Sequence, residues 1–155
     1  MKKIVWRTDS RVFELSETIC SGGDHLETLS AAHEGAEEAL RNAMGDRGRL
    51  RSTSLYTWED EEWARRAWAL ENKAIQSKGN KKYLYRLEID DSDIFHRGDV
   101  NHYTDIGDAL RQSMDPSKSI QGYLNGNGPD RDRHSTARFE ILVRKALVLE
   151  KLCPK

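Results

Sequence analysis

The sequence predicts a single α+β domain spanning residues 1–155. Three observations predict it. At 155 residues and 17.8 kDa the chain is long enough to bury a core without disulfides or metals, yet too short for a second full domain. Strand-like runs stand at its start, middle and end. Helical periodicities occupy the first two-thirds between them.

Taken in order, residues 3–6 (Lys3-Ile4-Val5-Trp6) read as a short strand. Leu26 to Met44 reads as a helix, because Leu29, Ala32, Ala36, Ala39, Leu40 and Ala43 recur along it, although Gly35 interrupts the pattern. Asp46-Arg47-Gly48 marks a turn, and the serine, threonine and aromatic content of Leu50 to Tyr56 suits a strand. Thr57 is the expected cap of the next helix, with Asp60 three residues on, Trp63, Ala67, Leu70 and Ala74 as its apolar stripe and Lys78-Gly79 as its stop. The acidic run Glu59 to Glu62 falls in the first turn of that helix, where it complements the dipole, so it is read as capping. Trp63 and Trp68 share the helical spacing and are read as core.

Tyr83 to Ile89 alternates as a strand, and Asp90 to Gly98 reads as a turn-rich connection. Thr104 to Met114 is a short helix opened by a threonine cap. Asn125-Gly126-Asn127-Gly128-Pro129-Asp130 is the strongest loop signal and continues to Thr136. Two apolar runs, Phe139 to Val143 and Ala146 to Leu152, close the domain.

Composition narrows the function classes. Charged residues make up 33% of the chain but balance to a formal net charge of -1, which gives no global attraction to nucleic acid or to an anionic membrane. A nucleic-acid partner would have to be held by a local patch. The two cysteines, Cys20 and Cys153, lack the paired spacing of a zinc site or disulfide framework, and the five histidines are scattered without ligand spacing, so no metal is expected. The apolar stretch behind Met1-Lys2-Lys3 ends at Arg7, too short for a signal-peptide core, and no segment reaches membrane-spanning length. The expected location is a cytoplasm, that of the producing cell or of a target cell after delivery, with no membrane partner.

Three short stretches carry the chemistry. Arg7 ends the first apolar run and opens Arg7-Thr8-Asp9-Ser10-Arg11; the planar fork of an arginine donates paired hydrogen bonds to phosphate oxygens and stays charged at any working pH. Ser52-Thr53-Ser54 adds a run of hydroxyls. Glu140 sits in Arg138-Phe139-Glu140-Ile141-Leu142-Val143, where position alone allows either a solvent-facing strand glutamate or a carboxylate aimed into a site.

In this order the three stretches resemble the Arg…Ser-Thr-Ser…Glu signature of bacterial mono-ADP-ribosyltransferase toxins of the cholera and pertussis toxin type. The resemblance runs from about residue 4 to residue 150, nearly the whole chain. It implies an ADP-ribosyltransferase-like catalytic domain with a split mixed β core flanked by helices, and NAD as co-substrate. It further implies that Arg7 holds the cofactor backbone, that Thr8 and Asp9 help to seat the adenosine end, that Ser52 orients the catalytic Glu140, and that the strand of Ser52, Thr53 and Ser54 supports the nicotinamide. Nicotinamide leaves as a neutral group while positive charge develops on the ribose, so a carboxylate preset in a low-dielectric site favours the transition state over the ground state. Tyr56, Trp58, Tyr83 and Tyr85 are available to stack on nicotinamide, with Tyr56 nearest the serine stretch. Gly22-Gly23-Asp24-His25 is similar to the Asp-His that supports the site in those relatives, although the spacing differs and His33 is the alternative match.

In the resembled toxins the residue two before the catalytic glutamate helps to choose the target, and arginine-modifying members carry a second glutamate there. This chain carries Arg138, which leaves the acceptor open. The loop before it is locally basic through Arg131, Arg133, His134 and Arg138, and Arg133 and Arg138 are the expected acceptor contacts, to phosphate if the acceptor is a nucleic acid. A macromolecular acceptor, nucleic acid slightly ahead of protein, is therefore expected, with an immunity protein or antitoxin as a further partner implied by the toxin resemblance. The competing readings are an NAD glycohydrolase toxin using water as acceptor, an RNA 2'-phosphotransferase, and a binding module that has kept the fold without turnover.

Overall fold

A computed structural model describes residues 1–21, 31–75 and 80–154. The architecture is mixed α+β, with seven strands and five α-helices among the described residues. The chain divides into two compact units, each built from separated segments. The first comprises Met1–Cys20, Leu55–His96 and Ile141–Lys155; the second comprises Ser21–Ser54 and Arg97–Glu140.

The first unit is organised by strand β1 (Lys2–Asp9) and strand β4 (Tyr83–Asp90), which pair antiparallel over their full length from Lys2 opposite Asp90 to Asp9 opposite Tyr83. Strand β7 (Ala146–Leu152) pairs antiparallel with the other edge of β4, with an irregularity between Arg86 and Leu87, and the short β2 (Thr18–Ile19) extends the sheet beyond it. Strand β3 (Leu55–Trp58) lies antiparallel to β1 with Trp58 opposite Trp6. With β5 (Ile94–Asp99) and β6 (Phe139–Val143) the sheet order is β2-β7-β4-β1-β3-β6-β5.

Alternation along the central strands sorts side chains onto two faces. Val5, Leu55, Tyr85, Leu87, Ile89, Ile141, Val143 and Val148 form one core cluster with Phe13 and Ile19. Trp6 and Leu84 belong to another, with Ala64 and Trp68 of helix α3 (Glu61–Ala74) packed on it. Asp60 caps α3, accepting from the backbone N–H groups of Glu62 and Trp63 at 2.7 and 3.3 Å. The cap expected at Thr57 is thus corrected: Thr57 sits in β3 and donates its hydroxyl to the Ile141 carbonyl at 2.7 Å. Leu70, placed on the apolar stripe by its spacing, is instead 70% exposed.

The second unit packs helix α1 (Ala31–Met44), α4 (Val100–Arg111) and α5 (Ser117–Leu124) around Ala36, Leu40, Ile106 and Tyr123. Gly35 does not interrupt α1, and nothing requires a glycine there, since a Cβ would meet Leu110 at an ordinary 3.6 Å. A 3-10 turn at Gly45–Arg47 leads into the short helix α2 (Gly48–Ser52). This overturns the strand expected from Leu50 to Tyr56: residues 48–52 are helical, and the strand starts at Leu55. The polar chemistry explains the change. Ser52 and Ser54 return their hydroxyls to the carbonyls of Arg49 and Leu50, at 2.7 and 2.5 Å, capping the helix end from within.

Two further boundaries move. The polar stretch from Asp90 contains strand β5, a position that tolerates charge because the strand is last in the sheet order. Helix α4 begins at Val100 rather than Thr104, because Asp99 accepts from the Asn101 N–H at 2.8 Å. Helix α5, for which the sequence reading gives no element, is closed in front by Asp115, which accepts from the Ser117 N–H at 3.0 Å. Lys78-Gly79, the start of the helix expected from Leu26, and His25 lie outside the described residues. No described helix is long and apolar enough to cross a membrane.

Candidate functional site

Two polar clusters hold Arg7 and Asp9 in the first unit and Glu140 in the second.

In the first unit, Arg7 lies near the end of β1, where its Nε donates to Asp9 Oδ2 at 2.9 Å and its Nη1 to the Tyr56 carbonyl at 2.8 Å. Asp9, almost fully buried, also accepts from the Arg11 side chain at 2.9 Å and from the Arg11 N–H at 2.9 Å. Burial pushes the Asp9 carboxyl up, but the Arg11 hydrogen bond and the Arg7 charge outweigh it and hold it below the usual range. Burial draws the Arg7 guanidinium the other way, below its ordinary value. The Arg-x-Asp-x-Arg spacing therefore places one carboxylate between two guanidinium groups and leaves the trio one positive charge in excess. Among the described residues Nη2 of Arg7 makes no hydrogen bond, so one arm of an otherwise anchored fork remains for a ligand. Thr8 donates its hydroxyl to Glu71 at 3.2 Å. Tyr56 contributes its backbone to Arg7. Tyr85 is fully buried, accepting from the Phe13 N–H and donating to the Arg11 carbonyl, so its ring is core rather than a stacking face.

In the second unit, Glu140 is the second residue of β6, and its Oε1 accepts from the Tyr123 hydroxyl at 2.6 Å. That same hydroxyl accepts from Arg51 Nη1 at 2.6 Å. Arg51 is fully buried and forms a two-point pair with the equally buried Glu37, Nε to Oε1 and Nη2 to Oε2, both at 2.8 Å. Arg41 adds a contact to Glu37 Oε1 at 3.1 Å. The result is a continuous relay, Glu37–Arg51–Tyr123–Glu140, that ties α1, α2, α5 and β6 together.

Its electrostatics follow from burial and order. Burial raises the Glu140 carboxyl above the ordinary glutamate value, an effect offset in part by the Arg51 charge and the Tyr123 hydrogen bond. Burial likewise raises Glu37, but its hydrogen bonds and ion pair with Arg51 win and hold it low. Tyr123 is driven well above its normal value by burial and by the Glu140 charge, so it stays a hydrogen-bond donor.

Ser52, expected to orient Glu140, does not: its hydroxyl donates to the Arg49 carbonyl, as does that of Thr53 at 3.4 Å. Tyr123 takes that position instead. The signals for this relay were present but indirect. Glu37 interrupts the stripe of Ala36 and Leu40 with a charge, and Arg51 immediately precedes the serine stretch. Tyr123 gave none, because its helix was not legible.

Arg138 and Arg133 are both held internally. The Arg138 Nε donates to Asn101 Oδ1 at 2.9 Å, its N–H to Asp99 Oδ1 at 3.3 Å, and its carbonyl accepts from Val100. Arg133 pairs with Asp105 and Asp108 at 3.2 and 3.1 Å, and His134 Nε2 meets Asp105 at 2.8 Å. His102 Nε2 donates to the carbonyls of Asn127 and Gly128, and Asn101 Nδ2 to that of Thr136. The loop that precedes Glu140 is thus strapped along α4 at several points.

Comparison of the chain with protein-family models, with curated proteins and with solved structures yields no match.

Proposed function

We propose that this chain is an NAD-dependent mono-ADP-ribosyltransferase of the toxin or effector kind, with an ADP-ribosyltransferase-like fold. The observation that carries the reading is Glu140, a partly buried carboxylate at a strand start, fixed by a phenol that is itself fixed by a buried ion pair. A preset carboxylate of this kind favours a developing ribosyl cation without having to reorganise during the reaction. In the proposed step the bond between ribose C1 and the nicotinamide nitrogen breaks, its electron pair leaves with neutral nicotinamide, and an acceptor nucleophile bonds to C1 and loses its proton. Arg7, with Nη2 open and a net positive neighbourhood, suits the pyrophosphate of NAD. Thr8 and Asp9 support it, the latter by spacing the two guanidinium groups.

The acceptor is proposed to be macromolecular, nucleic acid slightly ahead of protein, and an immunity protein or antitoxin is the expected guard of the producing cell. One observation favours the NAD glycohydrolase as second reading. Arg133 and His134 already face Asp105 and Asp108, which reduces what the loop offers to an acceptor.

The deciding experiment is turnover of NAD labelled in the adenylate part, with RNA, DNA or lysate protein, beside Glu140→Gln. Transfer of label that the variant loses supports the transferase; nicotinamide release without transfer supports the glycohydrolase. No turnover in any mixture sinks both.

A further inference from the structure

Helix α3 carries an open cavity of about 410 Å³ in the first unit, lined by Arg65, Trp68, Ala69, Asn72, Lys73 and Lys81. The first five recur at i, i+3, i+4, i+7 and i+8, so they share one helix face. Three of the six lining residues are cationic and none is acidic. No residue of the Arg7–Asp9–Arg11 trio contributes.

The aromatic floor is preset. The Trp68 indole N–H donates to the Lys82 carbonyl at 2.6 Å. Asn72 grips the same residue twice, donating to its carbonyl at 2.9 Å and accepting from its N–H at 2.7 Å. The ring is therefore held by bonds that a ligand does not need to make.

Two nearby acids are already engaged, one away from the cavity and one at the surface. Glu71 is engaged by Lys82 at 2.6 Å and by Thr8. Glu61 pairs with Arg65 at 3.1 Å, but both side chains are 48% exposed, and an exposed pair of this kind yields readily to a phosphate. Lys73 forms no ion pair with any described residue.

We propose that this face of α3 binds single-stranded nucleic acid, with one base against Trp68 and the flanking phosphates on Arg65 and Lys73. Stacking needs an unpaired base, which a duplex does not present. Arg65 and Lys73 stand about 12 Å apart along the helix axis, a reach that favours a strand over a lone nucleotide. The proposal does not depend on NAD chemistry.

The test is fluorescence anisotropy of a labelled oligouridylate and oligodeoxythymidylate with the full chain, without NAD, across a salt series. Binding that weakens with salt is expected, about tenfold weaker in Arg65→Glu and in Lys73→Glu, each with a shallower salt slope. Trp68→Phe keeps a ring and should retain most of the affinity, while Trp68→Leu should lose it; thermal melts of both verify folding. Absence of salt-dependent binding overturns the proposal, as do charge variants that bind like the parent, a duplex that binds as tightly, or AMP competing as well as the oligomer.

Discussion

The Tyr123 hydroxyl lies 2.6 Å from Glu140 Oε1 and donates to it, while the same oxygen accepts from Arg51 at 2.6 Å. One phenol thus connects a carboxylate on β6 to a guanidinium on α2, and the orientation of Glu140 is set by helix packing rather than by the serine stretch.

Removing that hydroxyl separates positioning from mere packing. The bond from Tyr123 lowers the Glu140 carboxyl, so Tyr123→Phe lets burial raise it further. NAD turnover should fall, and the acid limb of its pH profile should move to higher pH. A slower enzyme with an unmoved limb would mean that Tyr123 supports the fold alone.

Glu140 itself makes a prediction of opposite sign for activity and stability. In the proposed reaction its ionised form stabilises the cation, so turnover should be present above its raised value and be lost as pH falls through it, at a pH above that of an ordinary glutamate. Burial penalises that same ionised form in the folded state, so the carboxylate costs stability above its raised value. Glu140→Gln is expected to lose on the order of 100-fold or more in turnover, yet to melt no lower than the parent at neutral pH. A large drop in Tm would contradict this.

The buried pair behaves differently. Arg51→Met leaves Glu37 charged and buried, and should cost about 3–5 kcal/mol in urea unfolding. Because Glu37 is held low, its contribution is fully present above the ordinary glutamate value and is lost as pH falls through its folded value. In Arg51→Met that acid dependence should flatten, which stability measured between neutral and acid pH reads directly.

Gly98 tests the close packing around the phenol. A Cβ at this position would lie 2.6 Å from Tyr123 Cε2 and 2.8 Å from Cδ2 and Cζ, against the flat of a ring that is wholly buried. Gly98→Ala should therefore destabilise by about 1–3 kcal/mol, and it should also lower turnover through a displaced hydroxyl. Unchanged melting and unchanged turnover together would show that the ring yields freely.

Much of the fold was legible where apolar periodicity does the work. The strand at Tyr83 to Ile89 and the two closing runs emerge as β4, β6 and β7 because alternate residues bury in two clusters. The misplaced elements are those fixed by polar side chains. Helix α2 is held by Arg51 on Glu37, α4 starts at an aspartate cap, and α5 carries only Ile120, Tyr123 and Leu124 toward its core. The same limit governs the candidate site. Arg7 and Glu140 are singled out by their order in the Arg…Ser-Thr-Ser…Glu resemblance, whereas the groups that hold Glu140 lie on helices whose pairing no local spacing reveals.

Strand β7 lies between β4 and β2 in the sheet, joined to both by antiparallel pairing, although it is last in chain order. Until residues 146–152 have left the ribosome, the edge of β4 from Leu84 to Glu88 lacks its β7 partner and β2 has nothing to add to. A nascent chain therefore cannot complete its central sheet early, and a product cut before Ala146 would expose a bare strand edge prone to pairing with other chains.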